Sequence, residues 1–181
     1  MHKAINGAAI ELARADITRE KTDVIVNAAN SGLAGGGGVD GAIHAAGGPQ
    51  ILRECAAIIG RIGRLPSGQA VITGGGLLAA RHVIHTVGPV WRGGMAGEAA
   101  ILASAYRNSL ALAVENGAES VAFPSISTGI YGYPVEKAAP VALESIAEFL
   151  RQHGGPALVR FALFDGATLS AYSAALERLK P

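Results

Sequence analysis

The chain has 181 residues, of which half are apolar and 16% charged, and its formal net charge is +1. This length fits one domain with a sizeable buried core, and the high apolar content excludes a disordered chain. The near-neutral charge argues against a non-specific nucleic-acid binder. Cys55 is the sole cysteine, which excludes an internal disulfide and a multi-cysteine zinc site and is typical of a reducing cytoplasm.

The N-terminal residues lack the apolar run of a secretory signal. The longest uncharged segments, residues 24–39 and 65–80, are interrupted by polar residues and glycine. Both are shorter than the ~20 apolar residues that span a bilayer. We therefore expect a cytoplasmic protein without a membrane partner.

Short runs rich in Val, Ile or Phe alternate along the chain with longer segments of helical periodicity. The predicted strands cover residues 10–13, 24–27, 70–73, 82–87, 120–123 and 158–164. The predicted helices cover residues 39–46, 49–59, 98–116, 135–153 and 169–179. Because several strands are apolar at consecutive positions, we expect both faces of the sheet to be covered. The alternation predicts a three-layer α/β/α domain with a largely parallel sheet.

Glycine accounts for 25 of the 181 residues, about twice its usual share of ~7%. The unbroken run 35–38 follows the strand predicted at 24–27, and Gly129 and Gly132 lie in the loop after 120–123. Ligands of open α/β sheets bind at the carboxyl ends of the strands, where backbone N–H groups and helix N-termini attract phosphate. The two loops predict a diphosphate site, with bare turns as the equally simple alternative.

Three common phosphate and nucleophile motifs do not fit these loops. No lysine follows the glycines at the spacing of a P-loop. The run lacks the spacing and the acidic partner ~20 residues on that mark a dinucleotide fingerprint. Ser127 is not framed by Gly-x-Ser-x-Gly, which disfavours a serine hydrolase.

The motifs resemble those of a macrodomain. They are Ala-Asp-Ile-Thr at 15–18, Asn-Ala-Ala-Asn at 27–30, the glycine run with Val-Asp-Gly at 35–41, His-Thr-Val-Gly-Pro-Val-Trp at 85–91 and Ser-Thr-Gly-Ile-Tyr-Gly-Tyr-Pro at 127–134. Their order and spacing are similar to the MacroD-type subfamily, which includes bacterial O-acetyl-ADP-ribose deacetylases, over nearly the whole chain. The resemblance implies one macrodomain over residues 1–181, with a mixed, largely parallel central sheet and ADP-ribose as ligand.

The resemblance assigns the adenine end of the ligand to three residues. Asp16 would accept a hydrogen bond from the adenine amino group, since an ionised carboxylate is acceptor-only. The Ile17 backbone would contact a ring nitrogen, and Phe164 would stack on the base. The alternatives are that Asp16 caps the following turn with Thr18 and that Phe164 belongs to the core. Ala15 stands where the family usually has glycine, a change expected to tighten this end.

The resemblance places the chemistry in the first loop. Asn30 would bind the hydroxyls of the distal ribose, and Asp40 would hold and polarise a water, with a substrate phosphate oxygen sharing the proton. The alternative for Asp40 is a helix cap. His44 lies on the same helical face as Asp40, either as its partner or as a structural histidine. Tyr131 would pack against the distal ribose or only within its loop.

The remaining ligand-binding positions implied by the family are Ala28, Ala29, Gly35, Gly36, Gly37, Gly38, Val39, Ser127, Thr128, Gly129 and Ile130. Core positions are expected for Cys55, and core or groove-wall positions for Trp91 and Tyr106. The other histidines show no metal-like spacing with carboxylates: His2, His82, His85 and His153. No metal and no cofactor is implied.

These residues favour a hydrolase that converts O-acetyl-ADP-ribose into ADP-ribose and acetate and removes ester-linked mono-ADP-ribose from acidic side chains. Its partners would be ADP-ribose, O-acetyl-ADP-ribose and proteins carrying mono-ADP-ribose. The alternative is a non-catalytic module that only binds ADP-ribose. Asp40 favours the enzyme, because binding modules of the family can hold ADP-ribose without it.

Overall fold

A seven-stranded sheet organises the computed structural model, which describes residues 1–180. Its strands are β1 (His2–Ile5), β2 (Ala8–Arg14), β3 (Val24–Ala28), β4 (Ala70–Gly74), β5 (His82–Thr86), β6 (Ser120–Phe123) and β7 (Leu158–Leu163). Their order across the sheet is β1-β2-β7-β6-β3-β5-β4. The inner strands are parallel, whereas β1 and β4 at the edges run antiparallel to β2 and β5.

Helices cover both faces of the sheet. They are α1 (Gly38–Gly47), α2 (Pro49–Ile62), α3 (Glu98–Glu115), α4 (Val135–His153) and α5 (Gly166–Arg178). Successive strand residues point to opposite faces. Val24 and Val26 of β3 therefore join the core cluster that contains α3, α4 and α5. Ile25 between them joins the cluster that contains α1 and α2.

This architecture confirms the predicted three-layer α/β/α class and the mixed sheet that the resemblance implied. The predicted elements recur with bounds shifted by a few residues, but β1 was missed. It is a four-residue edge strand with little apolar periodicity. Asn6-Gly7, with positive φ at both residues, is a typical hairpin dipeptide and was the available signal. The last strand ends at Leu163, so Phe164 lies beyond it.

The parallel inner strands place the functional loops together. Because β3, β6 and β7 are parallel neighbours, the chain leaves all three at the same edge of the sheet. The two glycine-rich loops and the segment after β7 therefore converge there. Among residues 1–180, no helix combines the length and apolar content needed to cross a bilayer.

Aromatic rings fill the core beneath this edge. Phe161 of β7 is fully buried and packs against Tyr172, Phe123 and Tyr106, with ring centroids 4.9, 5.9 and 6.0 Å away. Phe164, three residues later, is 82% exposed.

Phe161→Ala is expected to lower the free energy of unfolding by about 3–5 kcal/mol, because it leaves a cavity inside a packed aromatic cluster. Urea unfolding of the ligand-free protein measures the loss. Phe164→Ala is the matched control, and we expect a change within about 0.5 kcal/mol. Equal losses in the two variants would contradict this account of the core.

Candidate active site

A cleft of about 580 Å³ lies at the carboxyl edge of the sheet, between the two glycine-rich loops. This volume is typical of small-molecule sites. The predicted site residues that line it are Asp16, Ile17, Ala28, Ala29, Asn30, Gly36, Gly37, Gly38, Val39, Asp40, Ser127, Thr128, Gly129, Ile130, Tyr131 and Phe164. Gly35 and His44 are the predicted site residues that do not line it. The fold thus brings most of the predicted residues together, while their individual roles stay predictions.

The first loop folds back onto the start of α1. A Cβ at Gly41 would overlap the carbonyl oxygen of Gly36, so this close approach requires glycine. The Asn30 side chain holds the loop from the other side: its Nδ2 donates to the Gly35 carbonyl at 2.7 Å, and its Oδ1 accepts from the Ala34 N–H at 3.2 Å. A primary amide has a second N–H and a second lone pair, which leaves Asn30 able to bind a ligand as well.

Asp40 lies in the first turn of α1, where the helix dipole favours a negative charge. The N-cap position is occupied by Gly37, and Asp40 is the third residue of the helix. The alternative of Asp40 as the cap is therefore not observed. Asp40 Oδ1 accepts a hydrogen bond from Asn27 Nδ2 at 2.7 Å. A Cβ placed at Gly36 would lie 3.3 Å from Oδ2, which locates that oxygen against the loop. One carboxylate oxygen is therefore held by Asn27, and the other lies next to Gly36, which lines the cleft.

His44 contacts Asp40 instead of the cleft. Its Nε2 lies 3.4 Å from Asp40 Oδ1, so the two side chains share a face of α1, as their four-residue spacing predicted. Its Nδ1 is buried, and within residues 1–180 it has no hydrogen-bond partner. The ring also lies next to Gly35 of the first loop, so His44 adjoins Asp40 and the loop behind the cleft.

The second loop is strained and tightly packed. Ser127 adopts a φ of 67°, which is uncommon for a residue other than glycine. Its carbonyl accepts the Tyr133 N–H at 2.9 Å, which closes the loop. A Cβ at Gly88 would overlap the Ser127 side chain, so the segment after β5 reaches this loop only because residue 88 is glycine.

Buried hydroxyl groups support the second loop from the core. Tyr106 OH accepts the Ile126 N–H at 3.1 Å, and Tyr172 OH donates to Ser125 Oγ at 3.0 Å. Thr128 Oγ1 also donates to Ser125 Oγ, at 2.8 Å. Tyr106 is a core residue, one of the two positions expected for it, and it anchors the loop as well. This chain of hydroxyls ties the loop to α3 and α5.

Both loops that line the cleft carry unpaired backbone donors. Among residues 1–180, the N–H groups of 37–39 and 129–131 make no hydrogen bond to another protein group. Ile130 Cδ1 would lie 3.9 Å from a Cβ at Gly37, so the two loops nearly touch. The N-terminus of α1 adds its partial positive charge on one side. This arrangement suits an anionic group such as a diphosphate.

The opposite end of the cleft carries an acidic and an aromatic side chain. Asp16 Oδ1 accepts from Thr18 Oγ1 at 2.7 Å and from the Thr18 N–H at 3.0 Å. These hydrogen bonds hold the pKa of Asp16 below its usual range. Capping occupies Oδ1 and leaves Oδ2 free of hydrogen bonds, with Arg19 Nε 3.9 Å away. The exposed ring of Phe164 lines the same end, so it does not belong to the core.

Three buried polar residues behind Asp40 were not predicted at the site: Asn27, Thr73 and His85. His85 Nδ1 lies 3.1 Å from Asn27 Nδ2, and His85 Nε2 lies 2.9 Å from Thr73 Oγ1 and 3.7 Å from Cys55 Sγ. The available signal was a polar residue at an interior position of an otherwise apolar strand. Asp165 and Thr168, which line the cleft, were also missed; their Asp-x-x-Thr spacing at the start of α5 is a helix-cap signature.

His44, Cys55 and His85 form a cluster whose potential ligand atoms lie within 4.8 Å of one another. Chain spacing did not indicate it, because α1, α2 and β5 bring the residues together only in the fold. Both ring nitrogens of His85 already face hydrogen-bond partners, and burial raises the pKa of the Cys55 thiol to about 11. A metal ion would have to displace those bonds and a thiol proton, so the cluster fits a hydrogen-bond network better.

Stability should depend on pH through His85. Burial, with a smaller effect of His44, lowers the pKa of His85 from 6.5 to about 3, and Glu54 opposes the shift. Between these two values the unfolded chain binds a proton that the folded protein rejects, so the free energy of unfolding falls as pH decreases. From pH 7 to pH 5 we expect His85 to remove about 2 kcal/mol. Urea unfolding at both pH values measures it, and His85→Gln should show a flatter dependence; equal slopes would refute the assignment.

Comparisons with known proteins agree with this geometry. A scan against protein families matches residues 26–142 to the Macro domain. The chain is similar to the O-acetyl-ADP-ribose deacetylase of Cronobacter turicensis, with 53% identity over 163 residues that cover 90% of this chain and 93% of that protein. The chain is also similar to the O-acetyl-ADP-ribose deacetylase of Citrobacter rodentium, with 51% identity over 90% of this chain and 92% of that protein.

Solved structures show the same architecture. The Oceanobacillus iheyensis macrodomain with ADP is 45% identical, with a TM-score of 0.94 over 98% of this chain and 95% of that one. The Trypanosoma brucei macrodomain in complex with ADP-ribose is 42% identical, with a TM-score of 0.84 over 92% of this chain and 68% of that one. The family match covers more than half of the sequence and the relatives cover nearly all of it: the chain belongs to the Macro domain family.

Proposed function

We propose that this protein hydrolyses O-acetyl-ADP-ribose to ADP-ribose and acetate and also removes ester-linked mono-ADP-ribose from acidic side chains of proteins. The observation that carries the proposal is the Asp40 carboxylate, which lines the cleft and is held by Asn27 on one oxygen, with the other oxygen next to Gly36. Relatives 51–53% identical are named O-acetyl-ADP-ribose deacetylase. A binding module would need the cleft but not this carboxylate.

Each part of the cleft suits one part of the ligand. The unpaired N–H groups of the two loops bind the diphosphate, Asp16 and Phe164 bind adenine, and Asn30 binds the distal ribose hydroxyls next to Asp40. Because Asn30 Nδ2 also donates to Gly35, binding of the ribose is coupled to the shape of the glycine loop. The diphosphate and the ribose together bring the ester towards Asp40, which supplies proximity before any proton moves.

The chemistry requires one water molecule and one ester. Asp40 orients the water, whose oxygen forms a bond to the ester carbonyl carbon while its proton passes to Asp40 or to a diphosphate oxygen. The bond between that carbon and the ribose oxygen then breaks, and the ribose oxygen takes up the proton. The products are a carboxylic acid and ADP-ribose. Acetyl esters and esters of acidic side chains are both carboxylic esters of the distal ribose, so one site that positions water serves both.

Asp40→Asn is expected to lower kcat for acetate release by at least about 100-fold, because the amide cannot accept the proton or polarise the water as a carboxylate does. Binding of ADP-ribose, measured by calorimetry, should remain largely unchanged. Glu144→Gln, which removes an exposed carboxylate from α4, is the matched control and should leave acetate release unchanged. A wild-type protein that binds ADP-ribose but cleaves neither ester would be a binding module.

The adenine assignment predicts selectivity for an amino group. Wild-type protein should bind ADP-ribose about 10- to 100-fold more tightly than the hypoxanthine analogue, which lacks that amino group, since a hydrogen bond to a charged acceptor is involved. In Asp16→Ala this ratio should fall to about one. Loss of the hydrogen bonds to Thr18 would loosen the turn and weaken the binding of both ligands equally, so it would not change the ratio of their affinities. An unchanged ratio would show that Asp16 serves only as the cap.

A further inference from the structure

We propose that His85 acts as a positioning residue for Asp40: its proton lies on Nε2, Thr73 keeps it there, and the bare Nδ1 orients the Asn27 amide so that Asn27 holds the Asp40 carboxylate. This inference rests on the proposed function, because it concerns the carboxylate assigned to the water. Thr73, His85 and Asn27 touch no part of the cleft. They act on the reaction only through Asp40.

The direction of every hydrogen bond in this chain follows from the first one. A carboxylate only accepts, so the Asn27 group at 2.7 Å from Asp40 Oδ1 is its NH₂. The same nitrogen faces His85 Nδ1 at 3.1 Å, and since an amide NH₂ only donates, Nδ1 must carry a lone pair. A neutral imidazole then has its proton on Nε2, which donates to Thr73 Oγ1 at 2.9 Å. The Thr73 hydroxyl completes the chain by donating to the Gly74 carbonyl at 3.0 Å.

The sheet register places these residues side by side. Asn27 of β3 and His85 of β5 are direct partners in the parallel ladder. Thr73 of β4 pairs with Val83, two residues from His85 and on the same face of the sheet. Asn27 and His85 are fully buried, and Thr73 is 3% exposed. Without competing solvent, each donor and acceptor in the chain constrains the next one.

The surroundings keep the imidazole neutral. Desolvation, with a smaller contribution from His44, lowers the pKa of His85 to about 3, and burial raises the pKa of the Cys55 thiol to about 11. Glu54 exerts the opposite effect on the pKa of His85, and desolvation outweighs it. A doubly protonated ring would also direct an N–H at the NH₂ of Asn27. Thr73 therefore affects the orientation of the Asn27 amide through the tautomer of His85 and not through a charge on it.

The opposite orientation of the Asn27 amide would disable Asp40. It would direct Asn27 Oδ1 at the carboxylate, acceptor against acceptor, and Asp40 would lose its shortest hydrogen bond. Asn27 Oδ1 is buried and has no hydrogen-bond partner within residues 1–180, so no contact of this oxygen stabilises the observed orientation of the amide. The hydrogen bonds of Nδ2 to Asp40 and His85 determine that orientation. Cys55 Sγ, 3.7 Å from His85 Nε2, could donate to that nitrogen if Thr73 no longer occupied it.

The first test reads the tautomer directly. Nitrogen-15 NMR of the histidine rings distinguishes protonated from bare nitrogens, and comparison with His85→Gln assigns the His85 signals. We expect Nε2 protonated and Nδ1 bare in the wild-type protein at pH 7. A ring protonated on Nδ1, or on both nitrogens, would overturn the proposal whatever the stability of any variant.

The second test removes the acceptor on Nε2. In Thr73→Val the proton should move to Nδ1, because Cys55 can then donate to Nε2, and the Asn27 amide should turn. We expect kcat for acetate release to fall about 10- to 100-fold, the cost of one hydrogen bond to a charged group. KM and the affinity for ADP-ribose should stay within about twofold, because the cleft walls are unchanged. Thr73→Ser keeps the hydroxyl and should restore both the wild-type tautomer and kcat.

A wild-type kcat in Thr73→Val would overturn the proposal, and so would a loss of kcat in Thr73→Ser as large as in Thr73→Val. A parallel loss of ADP-ribose affinity would also overturn it, since that result indicates general damage to the cleft. Asp40→Asn separates this idea from the proposed function. If the wild-type protein cleaves neither ester, the proposed function fails. If Asp40→Asn keeps its activity, the role of Asp40 fails and the positioning chain with it; if Asp40→Asn loses activity while Thr73→Val does not, only the positioning chain fails.

Discussion

The hydrogen bond from Asn27 to Asp40 is the contact on which the site depends. It joins the end of β3, in the middle of the sheet, to the first turn of α1, and both partners are buried. A carboxylate removed from water needs such a donor. The bond occupies Oδ1, while Oδ2 lies next to Gly36 of the glycine loop. The position of the carboxylate is thus set by a central strand of the sheet, as the proposed catalytic role requires.

The glycine-rich loops gain their shape from the same edge of the sheet. The first approaches α1 so closely that only glycine fits at position 41, and the second is reached from β5 only because position 88 is glycine. Tyr106 and Tyr172 then anchor the second loop to the helices behind it. The flexible residues are therefore held by rigid neighbours, and their N–H groups remain free to bind an anion. A diphosphate that enters this cleft meets donors already in place.

Particular residues show where prediction from sequence succeeded and where it stopped. Asp16, Asn30 and Asp40 were identified from local motifs, and the cleft brings them together. His44 was predicted at the site, yet its ring contacts Asp40 and not the cleft. His85 appeared only as part of a family motif and Thr73 not at all, and neither was predicted at the site, because a polar residue inside an apolar strand carries no local sign of its partner. The edge strand β1 was missed because four residues provide too little periodicity.

The sequence by itself determined the alternation of strands and helices, the glycine-rich loops after β3 and β6, and the motifs that resemble a macrodomain. These features are local: they follow from hydrophobic spacing, turn residues and short runs of specific side chains. Only the tertiary structure decided which oxygen of Asp40 is bound by Asn27, how Asn27, His85 and Thr73 are connected, and that Asp16 can cap a turn and keep one oxygen free. Those properties depend on contacts between residues up to 58 positions apart, and hydrogen-bond direction becomes defined only when burial excludes water.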